Sequence, residues 1–272
     1  MVHARDHSEK GAMHEIFWSR LKATEFPSVP KDAVVILPIG STEQHGPHLP
    51  VDVDARLTAE IAARTAQIVT RQQPVLVLPT LWVSLAEHHM NFGGTLTLDF
   101  ATFSAVLRCI VRSLSRHGFS RIMLLNGHGG NIAALTIIAD ELSREFNLPL
   151  ACVTYWDAAR LEFAAILEKQ PNLRHACEAE TSMMMALAPT LVDAEEARTV
   201  DAPPEGLVSA EGVYRWRPME DWTRSGVVGV PAVSSSEKGA RLLDAASEAI
   251  ASRILDGSIW GPNTKFGMAS HN

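Results

Sequence analysis

The sequence predicts an α/β fold in which a mostly parallel sheet lies between layers of helices. Short apolar segments alternate along the chain with longer segments whose apolar residues recur at helical spacing. The first of the short segments, Val34–Ile39, is apolar throughout, as expected of a strand that is covered on both faces. Hydrophobic residues make up 46% of the 272 residues, which is enough for one sizeable core. Together these observations favour a parallel sheet built from strand–helix–strand units.

The first half of the chain supplies the clearest alternation. A strand, a helix and a second strand are predicted in turn over Val34–Ile39, 56–69 and 75–78. The segment 80–98 that follows is less regular. Asp99 is then predicted to cap a helix whose apolar residues recur at helical spacing and which ends before Gly118.

The second half begins with the same alternation and then becomes less regular. A strand, a helix and a strand are predicted over 121–125, Ile132–Phe146 and 148–155. Further on, the pattern indicates a helix, a last strand and a closing helix over Glu178–Leu187, 226–230 and 237–255, with loops over 189–225. Because no repeat or linker interrupts the chain, residues 1–272 are predicted to form a single domain.

Composition excludes several classes of function. Lys and Arg number 24 against 31 Asp and Glu, giving a formal net charge of −7, and no basic run offers a surface for nucleic acid or an anionic membrane. No apolar stretch approaches the roughly 20 residues that span a bilayer. Residues 1–13 lack the apolar segment of a secretory signal, and three widely spaced cysteines favour reduced thiols. A cytoplasmic protein is therefore predicted.

Chemically reactive side chains follow the predicted strands, where ligands bind in folds of this class. Glu43 and His45 follow the first strand, and His128 follows the third. The residues beyond the second and fourth strands are Glu87, His88, Trp156 and Asp157. This placement predicts a site at the carboxyl edge of the sheet.

The densest cluster begins at Ser41. Glu43 and His45 are two residues apart, so an extended backbone places them on the same side. Asp54 falls where the next helix begins, and the intervening glycine and prolines can fold it back toward them. Imidazole nitrogen with carboxylate oxygen suits zinc, manganese or iron, and a shared carboxylate can bridge two ions. The alternative is that Asp54 caps the helix and His45 is bonded to backbone.

Two further clusters have a functional and a purely structural interpretation. In the segment 126–131, glycines allow a sharp turn and Gly129 leaves space beside the ring of His128; the alternative is a tight turn with an incidental histidine. In the segment 175–182, Glu180 is a candidate ligand or proton acceptor and His175 a candidate proton donor. The alternative there is that Glu178 and Glu180 only stabilise a helix N-terminus.

Taken together, the clusters resemble the creatininase family of metal-dependent amidohydrolases. The matching motifs are Gly-Ser-Thr-Glu-Gln-His-Gly-Pro-His-Leu-Pro with Asp54, Glu87-His88 leading to Phe92-Gly93-Gly94-Thr95, Asn126-Gly127-His128-Gly129-Gly130-Asn131, and His175 with Glu180-Thr181-Ser182. The resemblance covers residues 18–190, with a looser match over 226–239. It implies a three-layer α/β/α sandwich, two divalent ions per subunit and a homo-oligomer, usually a hexamer.

The resemblance also assigns roles to individual residues. It implies that Glu43, His45, Asp54 and His128 bind metal with the aspartate bridging, and that His175 handles protons. It places Trp156 and Asp157 near the substrate pocket. Creatininase proper has a bulky residue and a ligating glutamate after its Asn-Gly-His, where this chain has Gly129 and Gly130. Glu180 is the candidate to replace that ligand, and branches with Asn-Gly-His-Gly-Gly-Asn act on formamide-like or peptide-like bonds.

The resulting hypothesis is hydrolysis of a non-peptide C–N bond, in a cyclic amide or formamide, by a metal-activated water. Glu180 or Glu87 would accept the proton of the water, and His175, or alternatively His88, would protonate the leaving nitrogen. His88 and Gly129 are also predicted to contact the small amide substrate. Zinc is the first candidate ion, with manganese and iron as alternatives.

Two other functions remain open from the sequence. A metal-dependent phosphoesterase can use a similar ligand set, but it needs basic residues at the site, and Arg56 is the basic residue near the first cluster. A non-catalytic metal-binding assembly protein is the other alternative, since an acidic residue is missing at Gly130.

Overall fold

A four-stranded parallel sheet forms the centre of the protein in the computed structural model, which describes residues 15–205 and 212–260. The strands are β1 (Val34–Ile39), β2 (Val75–Val77), β3 (Arg121–Asn126) and β4 (Leu150–Thr154), in the spatial order β2-β1-β3-β4. Each neighbouring pair is parallel. All six residues of β1 are buried, which explains why its sequence is apolar rather than alternating.

Helices cover both faces of this sheet. In chain order they are α1 (Val53–Val69), α2 (Phe100–Arg116), α3 (Ile132–Phe146), α4 (Tyr155–Ala158), α5 (Arg160–Ile166), α6 (Glu178–Leu187), α7 (Ala194–Thr199) and α8 (Ser236–Leu255). Helices α2 and α3 pack on one face, and α1, α6 and α8 form the layer on the other. The predicted three-layer α/β/α sandwich is therefore confirmed.

Alternate residues of β1 belong to different cores. Val34 and Ile36 pack with the layer that contains α1 and α8, while Val35 and Leu37 pack with α2 and α3. Pro38 lacks a backbone N–H, and the pairing of β1 with β2 ends before it, at Ile36. The strand thus tolerates a proline because its neighbour on that side has already stopped.

Several predicted elements have the expected bounds or nearly so. Helix α3 begins and ends at the predicted residues. Asp99 caps α2 by accepting a hydrogen bond from the Thr102 amide at 2.7 Å, and Gly118 follows that helix with φ +87°. The fourth strand is shorter than predicted because Asn147, with φ +52°, ends α3 in a left-handed turn and Tyr155 already begins α4.

The predicted last strand, 226–230, is wrong. Its described contact with other extended backbone is a single bridge between Val228 and His175. Gly226 and Gly229 adopt φ +79° and +121°, which lie outside the strand region. The segment predicted as loops, 189–225, also contains the short helix α7, capped by Asp193.

The strand order places a crevice between β1 and β3. The chain leaves β1 for the edge strand β2 and returns across β1 to β3, so the connections after β1 and β3 diverge. Such a switch point opens a crevice at the carboxyl ends of the strands. Within the described residues, no helix combines the length and apolarity required to cross a bilayer. The expectation about a signal segment over 1–13 lies outside the described residues.

Candidate metal centre

Two glycines bring the start of α1 against the ends of β1 and β3. A Cβ at Gly40 would overlap the backbone of Ala55, and a Cβ at Gly127 would overlap the hydroxyl of Thr58. With glycine at both positions, the first turn of α1 packs directly on the strand ends. Asp54, in that turn, is buried between the loops that follow β1 and β3.

Asp54 is shared by two groups of potential ligands. Its carboxylate forms one group with Glu43 and His128 and a second with His45 and Glu180; within each group the ligand atoms lie within 4.8 Å of one another. All of these residues are at least 97% buried. The structure therefore brings together the side chains that the sequence predicts as metal ligands.

The two oxygens of Asp54 face different histidines. Oδ1 lies 3.2 Å from His45 Nε2, and Oδ2 lies 3.0 Å from His128 Nδ1. Asp54 is not a helix cap, since Asp52 occupies the N-cap position and makes no side-chain capping bond. This geometry is the one expected of a carboxylate that bridges two cations.

Backbone carbonyls fix the tautomers of both histidines. His128 Nε2 lies 2.9 Å from the Leu85 carbonyl and His45 Nδ1 lies 3.1 Å from the Glu43 carbonyl. Because a carbonyl only accepts, these nitrogens carry the protons and donate. The remaining nitrogen of each ring therefore faces the carboxylates, with His128 Nδ1 also 2.9 Å from Glu43 Oε2.

A ring nitrogen that faces carboxylate oxygens in a buried site needs either a proton or a metal ion between the two. Burial opposes a charge on either ring, but the carboxylates outweigh it, raising the pKa of His128 to about 10 and that of His45 well above its usual value. Among the described residues, Glu43 Oε2 and His45 Nε2 have no hydrogen-bond partner. Imidazole nitrogen, carboxylate oxygen and unpartnered buried atoms form a donor set that fits divalent ions, which would take the place of the ring protons.

Glu180 is aimed at the centre by its own loop. Its Oε2 accepts a hydrogen bond from the Ala176 amide, and its Oε1 lies 3.8 Å from His45 Nε2. The neighbouring Glu178 points the other way, fully buried, and accepts from Lys238 Nζ at 2.8 Å. The start of α6 is thus held by Glu178, and Glu180 is left free to face the cluster.

His175 reaches the cluster with its acceptor nitrogen. Its Nε2–H donates to the Gln44 carbonyl at 2.8 Å, and its Nδ1 lies 3.6 Å from Glu43 Oε1. Burial and the nearby His45 ring lower the pKa of His175 well below its usual value. The ring of His175 is therefore neutral. It must first accept a proton at Nδ1 if it is to donate one later.

Sequence reasoning selected His88 and overlooked its neighbour His89. His89 is buried, its Nε2 lies 3.2 Å from Glu43 Oε1, and its Nδ1 accepts from the Gln44 side chain at 2.8 Å. Because Nδ1 accepts, Nε2 carries the proton and donates to Glu43. His89 is therefore a positioning residue for a predicted ligand. The adjacent histidines were the available signal, but their directions depend on a short 3₁₀ turn.

We expect His89→Leu to weaken metal binding by about 10- to 100-fold, because the donor that orients Glu43 is lost. The dissociation constant is to be measured by competition with a chromophoric chelator. His117→Leu is the matched control, since His117 is exposed at the end of α2 and should leave the constant unchanged. Equal constants for His89→Leu and the wild type would contradict this role.

Other predicted site residues line a cavity of about 940 Å³ that opens onto the cluster. They are Glu87, His88, Gly129 and Trp156. The ring of His88 stacks on that of His128 at 5.6 Å between centroids, whereas Glu87 is exposed and outside the ligand groups. Asp157 is not part of this lining, and its exposed carboxylate accepts from the Asn172 side chain.

Gly130 has no room for the acidic side chain that creatininase proper carries there. A Cβ at this position would collide with His128, His88 and the Leu85 carbonyl. A metal ligand in addition to Glu43, His45, Asp54 and His128 must therefore come from another part of the chain. Glu180 is placed to supply it.

The comparisons with known proteins agree with this geometry. The family model described as creatinine amidohydrolase matches residues 19–254. The chain belongs to the creatininase family. It is 31% identical to the creatinine amidohydrolase of Pseudomonas putida over 83% of this chain and 90% of that protein. It is 28% identical to a mycofactocin precursor peptide peptidase of Mycobacterium tuberculosis over 78% of this chain and 80% of that protein.

Solved structures show the same family likeness. A crystal structure of creatininase aligns with a TM-score of 0.79 at 28% identity, covering 92% of this chain and all of the other. A manganese creatininase aligns at 0.78, with 27% identity over 91% of this chain and 99% of the other. A mutant creatininase of the Zn–Zn type aligns at 0.77, with 27% identity over 92% of this chain and all of the other.

Proposed function

We propose that this member of the creatininase family hydrolyses a cyclic amide or a formamide at a centre of two divalent ions. The prediction of a metal-dependent hydrolase acting on C–N bonds other than peptide bonds is confirmed at the level of the family. The observation that carries the finer proposal is the carboxylate of Asp54, which faces His45 with one oxygen and His128 with the other.

Two sets of side chains would hold the ions. One set is Glu43, Asp54 and His128, and the other is His45, Asp54 and Glu180. Divalent ions bound there lower the pKa of water and polarise a carbonyl oxygen. Manganese and zinc are the first candidates, because similar creatininase structures are of a manganese form and a Zn–Zn type. Iron also fits the donor set.

His175 is the proposed proton carrier. Its Nδ1 is free to accept and lies beside Glu43, so it can take a proton from the attacking water and return it to the leaving nitrogen. Glu180 is the alternative acceptor because its Oε1 faces the cluster. Glu87 and His88 lie further out along the cavity, where they would contact substrate.

The cavity gives some support to a phosphoesterase as a second candidate. Arg174, Arg215 and Arg217 line it, although sequence reasoning found only Arg56 near the site. Among the described residues, none of the three forms an ion pair with the ligand carboxylates. Arginines that bind a reacting phosphate belong at the metal centre, so amide hydrolysis remains the better supported function.

A substrate screen tests the proposed function. Purified protein loaded with zinc or manganese is offered creatinine, a six-membered lactam, N-formyl amino acids, a dipeptide and p-nitrophenyl phosphate. We expect metal-dependent turnover of a lactam or N-formyl compound and none of the phosphate ester. Turnover of the phosphate ester alone would contradict amide hydrolysis.

Assembly and location stay predictions. The family resemblance favours a homo-oligomer, and sedimentation velocity of the purified protein would measure its size. The cytoplasmic location and the single domain over 1–272 rest on the sequence alone.

A further inference from the structure

The cavity that opens onto the candidate metal centre is lined by arginine and tryptophan side chains as well as by acidic ones. Arg174, Arg215 and Arg217 line the same cavity as the predicted metal ligands. Its wall also contains the tryptophans Trp156, Trp216 and Trp222. Arginine and indole side chains together are suited to a planar or apolar group that carries an oxyanion.

Among the residues that the structure describes, these arginines have no acidic partner. Within the described residues, none of the three has a carboxylate oxygen within 4 Å, whereas Arg56, Arg64 and Arg108 each do. The chain carries a net charge of −7, so three unpaired guanidinium groups around one cavity are not the result of a general basic surplus. Arg174 and Arg215 are exposed, and the placement of all three arginines on the wall of one cavity points to a site for a negative charge.

Acidic residues also line the cavity, but none of them forms an ion pair with these arginines in the described part of the chain. Asp99 accepts the Thr102 amide as the cap of α2. Glu87 and Glu205 form no recorded ion pair with any arginine in the described part of the chain. The remaining acidic residues, Glu43, Asp54 and Glu180, belong to the candidate metal centre.

We propose that Arg215 and Arg217, with Arg174, bind a carboxylate or phosphate group of the substrate at a position remote from the bond that is hydrolysed, while the tryptophans contact its planar or apolar part. The inference rests on the proposed function in treating this anion as part of the substrate. It narrows the substrate class to anionic amides. A neutral lactam would fill the metal centre and leave the arginines unused.

Ligand binding, rather than turnover, tests this site independently of the reaction. Benzoate, phenylphosphonate and neutral benzamide are titrated into metal-loaded protein, and binding is followed by quenching of tryptophan fluorescence and by calorimetry. The two anions distinguish a carboxylate site from a phosphate site. Because anions can also bind the metal ions, the measurement is repeated on the double variant Arg215→Gln/Arg217→Gln. Arg241→Gln, exposed on α8 and absent from this cavity, is the matched control.

We expect at least one anion to bind about tenfold more tightly than benzamide, as charge-assisted hydrogen bonds to arginine do. The double variant should lose this preference and the Arg241→Gln control should keep it. Equal binding of the three probes, or an unchanged preference in the double variant, would overturn the anion site. A screen that finds no amide turnover would overturn the proposed function. It would not affect the conclusion that the cavity binds anions.

Discussion

Asp54→Asn is expected to lower kcat by about a thousandfold or more, because charge stabilisation by bound ions contributes several kcal/mol to catalysis. Asparagine keeps the size of the side chain but loses the negative charge and one of the two acceptor oxygens. In the wild type, those oxygens face His45 at 3.2 Å and His128 at 3.0 Å. The variant should therefore hold fewer ions per chain, which elemental analysis of the purified protein would count.

Asp52→Asn is the matched control for this substitution. Asp52 lies two residues earlier, has 41% of its side chain exposed and pairs with Arg56. Its replacement should leave both the metal content and kcat within about twofold of the wild type, because exposed ion pairs contribute little. If Asp54→Asn kept the wild-type metal content and rate, the bridging role would be refuted.

Removal of the ions is expected to lower the melting temperature by roughly 10 °C. Ligands that bind only the folded state stabilise it by about 4 kcal/mol at a concentration 1,000 times the dissociation constant, and 1 kcal/mol corresponds to about 2–4 °C in a chain of this size. The physical cause is the buried set of three carboxylates and two imidazoles that bound cations would hold together.

Differential scanning calorimetry with and without a chelator measures this effect. The Asp54→Asn variant supplies an internal comparison, since its weaker metal binding should reduce the difference between the two conditions. Identical melting temperatures for chelated and metal-loaded wild type would show that no ion contributes to stability.

The elements that sequence predicted well are those set by local pattern. Helix α3 is defined by the periodicity of its apolar residues and by the left-handed Asn147 at its end, both of which act within a few residues. The segment 226–230 looks like a strand by composition. Whether this segment joins a sheet depends on backbone that is distant in the sequence. In the structure Gly226 packs against the Gln44 side chain instead.

The candidate site likewise contains residues that local sequence predicted and residues that only the fold reveals. Glu43, His45 and Asp54 lie in one short stretch, so their spacing alone suggested a common site. His128 needed the resemblance to a family, because its glycine-rich turn is compatible with a structural role. His89 and the cavity arginines were missed since their positions depend on a 3₁₀ turn and on a late, irregular segment with no periodic pattern.

Anomalous diffraction from crystals of the metal-loaded protein is the most direct test of the central claim. We predict two peaks, each about 2.0–2.3 Å from a different oxygen of Asp54, one beside His128 Nδ1 and the other beside His45 Nε2. Peaks found only elsewhere in the protein, or a single ion that Asp54 does not contact, would contradict the account.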